Sequence, residues 1–165
     1  MFKKNSCNLI AEIGWNHMGN ISLAKKMIKK AKESGADFCK FQSWGIKNLR
    51  SGPWDKDGRL EIYNKAELSD QNHKTLVDLC FKHKVKFLTS VFNINDLDFV
   101  AKLSDQAVKI PSHEVYNLEL IKNLFEKKPK LVIFLDCGSS SQEAIKFLKS
   151  KKISSIIIDH HEIYQ

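Results

Sequence analysis

The stretch AEIGWNHMGN, residues 11–20, is where the reading of the fold turns. Residues 8–13, NLIAEI, form a short apolar run of strand length. The run gives way to Glu12, Gly14, Asn16 and His17, a concentration of polar chemistry unusual for a plain turn. Asn20 or Ser22 can then cap a helix over 22–34, with Leu23, Met27, Ile28 and Ala31 at helical spacing and Gly35 as its stop.

Outward from there the same unit repeats. Residues 37–42 are a second strand, followed by a polar connection over 43–68 with Gly52-Pro53 and Asp57-Gly58 as turn signals. Ser69 caps a helix to about 84, and 86–91 is the third strand. Asn95 caps a helix to about 103, and 107–111 is the fourth strand. Asn117 caps a helix to about 127 before a fifth strand at 131–136. Ser140 and Glu143 stand at capping-box spacing before a helix to about 151, and 154–159 is the sixth strand. The chain is therefore expected to be one α/β domain over 1–165, with six parallel strands and five intervening helices. Periodicity alone leaves a doubly wound sheet and part of a (β/α)₈ barrel both open.

The polar residues collect at the C-terminal ends of these strands, where α/β enzymes build their sites. Glu12, Asn16 and His17 follow the first strand, and Lys40 and Gln42 end the second. Thr89, Ser90 and Asn93 end the third, and Lys109, Ser112, His113 and Glu114 the fourth. Asp136 ends the fifth, and Asp159, His160 and His161 the sixth. Lysines on buried strands need an anionic partner. That partner is either a bound anion or an internal Lys–Glu network with no ligand.

Composition narrows the class. The formal net charge is +8, yet the lysines are spread over helix faces, so neither nucleic-acid binding nor membrane association is expected. A mild positive field still favours small anions. Cys7, Cys39, Cys80 and Cys137 show no CxxC pair, which fits buried thiols in a reducing cytoplasm. The N-terminal apolar run is too short for a signal peptide, and no stretch approaches transmembrane length.

Five segments, IAEIGWNHMGN (10–20), GADFCKFQSW (35–44), YNKAELSDQNHKTLVDLC (63–80), KFLTSVF (86–92) and AVKIPSHEVYNLELI (107–121), together resemble the sialic acid synthase family. The resemblance, over about residues 8–125, implies a (β/α)₈ barrel. It implies condensation of phosphoenolpyruvate with an N-acylated amino sugar, with a divalent metal (Mn²⁺ or Mg²⁺), to a 2-keto sugar acid and phosphate. Carried over by position, Lys40, Lys109, Ser90 and Ser112 would hold the phosphoenolpyruvate carboxylate and phosphate. Gln42 and Glu114 would lie beside the sugar carbonyl, and Glu12 and His17 would orient the site. Lys40, Lys109 and Glu114 are the expected catalytic set. Met18 stands where the family is usually polar, and Ser112-His113-Glu114 where it commonly has Ser-Gly-Glu; His113 is read as a local hydrogen-bonding group rather than a metal ligand.

Residues 131–162, LVIFLDCGSSSQEAIKFLKSKKISSIIIDHHE, depart from this pattern. Asp136 would place an anion where the family has a hydroxyl beside a phosphate. The segment resembles the DHH phosphoesterase family, whose Asp-Cys/Asn-Gly and Asp-His-His strand ends ligate two metal ions. A different alignment sets DHHEIY against the synthase family's sixth strand and preserves Tyr164. Asp136, Asp159 and His160 are thus candidate metal ligands, though pairing of the aspartates with Lys40 and Lys109 is preferred over a metal site. Three functions stay open: a synthase-type enzyme, expected to be truncated and of little activity; a phosphoenolpyruvate-binding remnant; and a metal-dependent phosphodiesterase fragment. A homodimer is the expected assembly.

Overall fold

The structure is a computed structural model that describes residues 8–103, 107–111, 114, 117–126, 131–135 and 142–158, the backbone path alone for 131–135 and 156–158. These fall into two compact units, residues 1–109 and 110–165.

In the first unit, β1 (Ile10–Gly14), β2 (Phe38–Ser43) and β3 (Lys86–Val91) form a parallel sheet in the order β1-β2-β3. The expected fourth strand is reduced to a single parallel bridge from Lys109 to Ser90, closed by Lys109 N–H to Thr89 O at 2.9 Å and Val91 N–H to Lys109 O at 3.0 Å. Each strand thus neighbours the next in sequence. Barrels are ordered so, whereas a doubly wound sheet crosses back past its first strand after the second or third, so its fourth strand would not lie beside its third with the first three in sequence.

Helix α1 (Ile21–Glu33) starts where Asn20 Oδ1 accepts Leu23 N–H, and buries Ala24 and Ile28. Helix α3 (Asp70–Lys82) starts at Ser69, whose Oγ accepts Asn72 N–H, and buries His73, Leu76 and Cys80. The polar connection expected over 43–68 holds two short 3₁₀ turns and a further helix, α2 (Arg59–Ala66). Gly58, at φ 89°, stands at its N-cap without a side-chain cap, so the usual start signal is missing. Helix α4 (Ile94–Leu103) is capped by Asn93, not Asn95: Asn93 Oδ1 accepts Asp96 N–H at 3.0 Å.

Alternation along β2 and β3 sorts the side chains. Cys39, Phe41 and Phe87 join Ala24, Ile28, Leu76 and Cys80 in the core between sheet and helices. Phe38, Lys40 and Gln42, with Leu88 and Ser90 in register on β3, take the opposite face.

The second unit holds α5 (Leu118–Glu126), β4 (Leu131–Leu135), α6 (Gln142–Ser150) and β5 (Ser154–Ile158). β4 and β5 pair in parallel, and Ile121, Phe125, Ala144 and Leu148 form its core. No helix among the described residues is long and apolar enough to cross a membrane.

Candidate active site

β1 and β2 pair with Glu12 opposite Lys40, then slip by one residue between Glu12 and Gly14. The slip ends the ladder and frees the following residues to turn. Gly14 takes φ 58°, and a Cβ there would sit 3.4 Å from Glu12 Oε1 and 3.7 Å from Gln42 Oε1. Those side chains therefore close directly over its backbone.

Lys40 is the central group. It is 1% exposed, although its Nζ carries an ammonium. That nitrogen donates to Glu12 Oε1 at 2.9 Å, while the Glu12 side chain is 56% exposed. Burial pushes Lys40 below the ordinary lysine range; the Glu12 carboxylate opposes that shift, and the nearby Lys109 charge adds to it. One half of the pair is thus buried and the other lies in water. Across the sheet, the Ser90 hydroxyl is buried without a hydrogen-bond partner among the described residues. A strand-borne hydroxyl left that way is costly in an empty protein, and a bound oxyanion would satisfy it. Lys109 is exposed rather than buried, and its backbone bridges to β3. The internal Lys–Glu pair weighed from the sequence therefore exists, but it includes one lysine and not two.

His17 departs from expectation. It is fully buried, its Nδ1 accepts Gly19 N–H at 3.0 Å, and its ring packs on Phe41, which faces the helices. It shapes the β1–α1 loop instead of facing Lys40. Burial, and then the charge of His73, lower its pKa, and its Nε2 is buried without a hydrogen-bond partner among the described residues. Glu114 lies in the second unit, buried, with Asn117 Nδ2 donating to its Oε2 at 2.7 Å. Asn117 also caps α5 through Leu120 N–H, as its sequence position suggests. Ser112, Asp136, Asp159 and His160 lie outside the described residues. Among the described residues, no three His, Cys, Asp or Glu side chains gather to hold a metal ion.

Sequence reasoning missed two clusters. His73 Nε2 meets Ser43 Oγ at 2.8 Å, Ser43 Oγ meets Thr89 Oγ1 at 2.6 Å, and His73 Nδ1 donates to Ser69 O at 3.0 Å. This trio stands on the helix-facing side of β2 and borders a cleft of about 720 Å³ also walled by Asn48, Asp96 and Phe99. Lys40 and Ser90 belong to the other side. The second cluster is aromatic: Trp15, Trp44 and Trp54 all pack on Tyr63, with centroids 5.7, 5.4 and 5.5 Å away.

The NeuB family model matches residues 27–161. The match runs across the segment that resembles DHH phosphoesterases, so that second resemblance finds no support. The N,N'-diacetyllegionaminic acid synthase of Campylobacter jejuni is 35% identical over 136 residues, which make up 76% of this chain and 41% of that protein. The synthase of the same name from Legionella pneumophila is 32% identical, over 78% of this chain and 39% of its own length. The chain thus spans about two fifths of these relatives. In structure it is similar to the N-acetylneuraminic acid synthetase of Leptospira borgpetersenii, with a TM-score of 0.75 at 23% identity, over 93% of this chain and 53% of that one. The fold is α/β, a partial (β/α)₈ barrel.

Proposed function

Because this chain belongs to the NeuB family, we propose that it carries the phosphoenolpyruvate-binding strands of a synthase that joins phosphoenolpyruvate to an N-acylated amino sugar. The products would be a 2-keto sugar acid and phosphate. The observation that carries the reading is Lys40, an ammonium buried on a strand and held from one side by a carboxylate that is itself in water. A phosphate or carboxylate oxygen arriving beside it would replace lost hydration with a charge-assisted hydrogen bond. The unpaired Ser90 hydroxyl offers a further donor, and exposed Lys109 supplies long-range attraction for the incoming anion. Gln42, half-buried and opposite Ser90 in register, is placed to meet the acceptor. In this reading Glu12 sets the position of Lys40.

Calorimetric titration with phosphoenolpyruvate tests the proposal. Saturable binding that is lost in Lys40→Ala and in Lys109→Ala is the expected result. Absence of binding, or affinity unchanged in both variants, would overturn it. Phosphate release on adding an N-acetylhexosamine and Mn²⁺ separates a working synthase from a module that binds without turnover.

A further inference from the structure

Two thiols meet inside the first unit. Cys39 stands on β2 and Cys80 in the last turn of α3, and both are buried free thiols. Alternation along β2 turns Cys39 toward the helices, as it does Phe41. The period of α3 puts Cys80 on the face that also buries His73 and Leu76. The two side chains join one core cluster, and their sulfurs are hydrogen-bonded to each other.

Most buried thiols are inert, because burial raises their pKa and shields them. This pair differs in both respects. The Cys80 S–H donates to Cys39 and holds Cys39 below the ordinary thiol range in spite of its burial. The same bond, and then burial, push Cys80 far up. Cys39 therefore carries the thiolate character, with a protonated partner beside it. Access is short as well. Phe81, next to Cys80, is 85% exposed, and α3 ends at Lys82. Cys80 thus lies in a helix end, where local opening costs least.

We propose that Cys39 and Cys80 are a reversible oxidation site, at which hydrogen peroxide forms a disulfide that staples α3 to β2. The Cys39 thiolate attacks one peroxide oxygen and the O–O bond breaks. The departing hydroxide takes up the proton that Cys39 released, giving water and a sulfenic acid at Cys39. The Cys80 sulfur then attacks the Cys39 sulfur and the S–O bond breaks. The hydroxyl leaves with the Cys80 proton as a second water. Two thiols are oxidised to one disulfide, and one peroxide is reduced to two waters. Bonded sulfurs stand about 2 Å apart, closer than hydrogen-bonded ones, so closure draws the last turn of α3 toward β2. Cys39 adjoins Lys40, so the staple fixes the strand that carries the buried ammonium.

The test uses the reduced full chain. It is incubated with hydrogen peroxide, quenched, unfolded and alkylated, and its disulfides are mapped by mass spectrometry. Oxidised and reduced samples are also compared by urea unfolding. A Cys39–Cys80 link that lowers the mass by about 2 Da and is reversed by dithiothreitol is expected. The closed loop has about 40 residues, so the urea midpoint should rise by about 1 M. Cys80→Ala should lose both the link and the rise. Alkylation of both thiols after peroxide, links to Cys7 or Cys137 in place of this one, or a Cys39 sulfinic acid beside a free Cys80 would overturn the inference. So would a linked protein with an unchanged urea midpoint. If Cys80→Ala does not fold, the wild-type map decides.

Discussion

Replacing Lys40 with methionine should make the ligand-free protein more stable while removing the proposed anion binding. Lys40 is 1% exposed, so its ammonium has lost nearly all its hydration, at an effective cost of several kcal/mol. Its compensation is one hydrogen bond to Glu12 at 2.9 Å, and a bond to a charged group contributes about 1.5–3 kcal/mol. The Glu12 side chain is 56% exposed, so water and salt screen the attraction, and Glu12 stays solvated once its partner is gone. The usual penalty for breaking a buried pair, an orphaned buried charge, therefore does not arise. Methionine fills the same stem volume without the charge. The net expectation is a gain of about 1–2 kcal/mol, or a rise in Tm of about 2–8 °C for a chain of this size. Urea and thermal unfolding at pH 7 measure it. The pH dependence supplies an internal check. Burial lowers the folded-state pKa of Lys40, so as pH rises the unfolded chain keeps its proton longer than the folded one. Wild-type stability therefore climbs from the depressed folded pKa up to the ordinary lysine range, and its gap to Lys40→Met narrows there. A Tm several degrees lower in Lys40→Met, with secondary structure intact, would show that Lys40 is a structural strut and not a cation awaiting its ligand.

Gly19 has φ 73°, and a Cβ there would lie 2.2 Å from the Lys65 carbonyl oxygen, so Gly19→Ala should cost at least about 2 kcal/mol by chemical denaturation. Gly35, at φ 90° with nothing within 4 Å, is the control, and Gly35→Ala should cost about 1 kcal/mol; equal losses would discount the Lys65 contact. His17 and His73 both have pKa values lowered by burial, so the unfolded chain takes up protons first as pH falls below about 6.5. Stability should be flat in this respect above pH 7 and then fall by up to about 1.4 kcal/mol per pH unit per histidine; urea midpoints at pH 7.5, 6.5 and 5.5 that fail to decline would contradict neutral burial.

Where residues signal locally, the fold could be read in advance. Asn20, Ser69 and Asn117 each cap the helix their spacing suggests, because a cap involves only three or four consecutive residues. The cap of α4 was misplaced since Asn93 and Asn95 offer the same chemistry, and the exit of β3 selects the former. Helix α2 was missed because it has eight residues and a left-handed glycine where a capping side chain would stand. A Lys–Glu contact was legible as an alternative to a bound anion, but the particular pair, Glu12 and Lys40, 28 residues apart, is set by the pairing of β1 with β2. The direction of His17 was not, because the loop turns through positive φ at Gly14, Met18 and Gly19 and no periodicity governs such a path. Nor was the aromatic cluster: Trp15, Trp44 and Trp54 are scattered in sequence and meet only when the three strands align their ends.

The contrast between the two faces of β2 explains why polar residues so close in sequence differ in role. On one face Cys39, Phe41 and Ser43 meet helices, and there Ser43 is held by His73 and Thr89, and His73 by the Ser69 carbonyl. A serine against a histidine resembles a nucleophile and its base, but this histidine holds a serine that a threonine also engages, beneath a helix. The arrangement is a closed hydrogen-bond set that ties α3 to the sheet. On the other face Lys40 has one partial partner, and Ser90, in register with Gln42, has none among the described residues. That face holds a buried ammonium and a serine hydroxyl short of acceptors among the described residues. A ligand bringing oxyanions to that face would supply what these residues lack, which is why the proposed anion site is put beside Lys40 and not in the cleft beside Ser43.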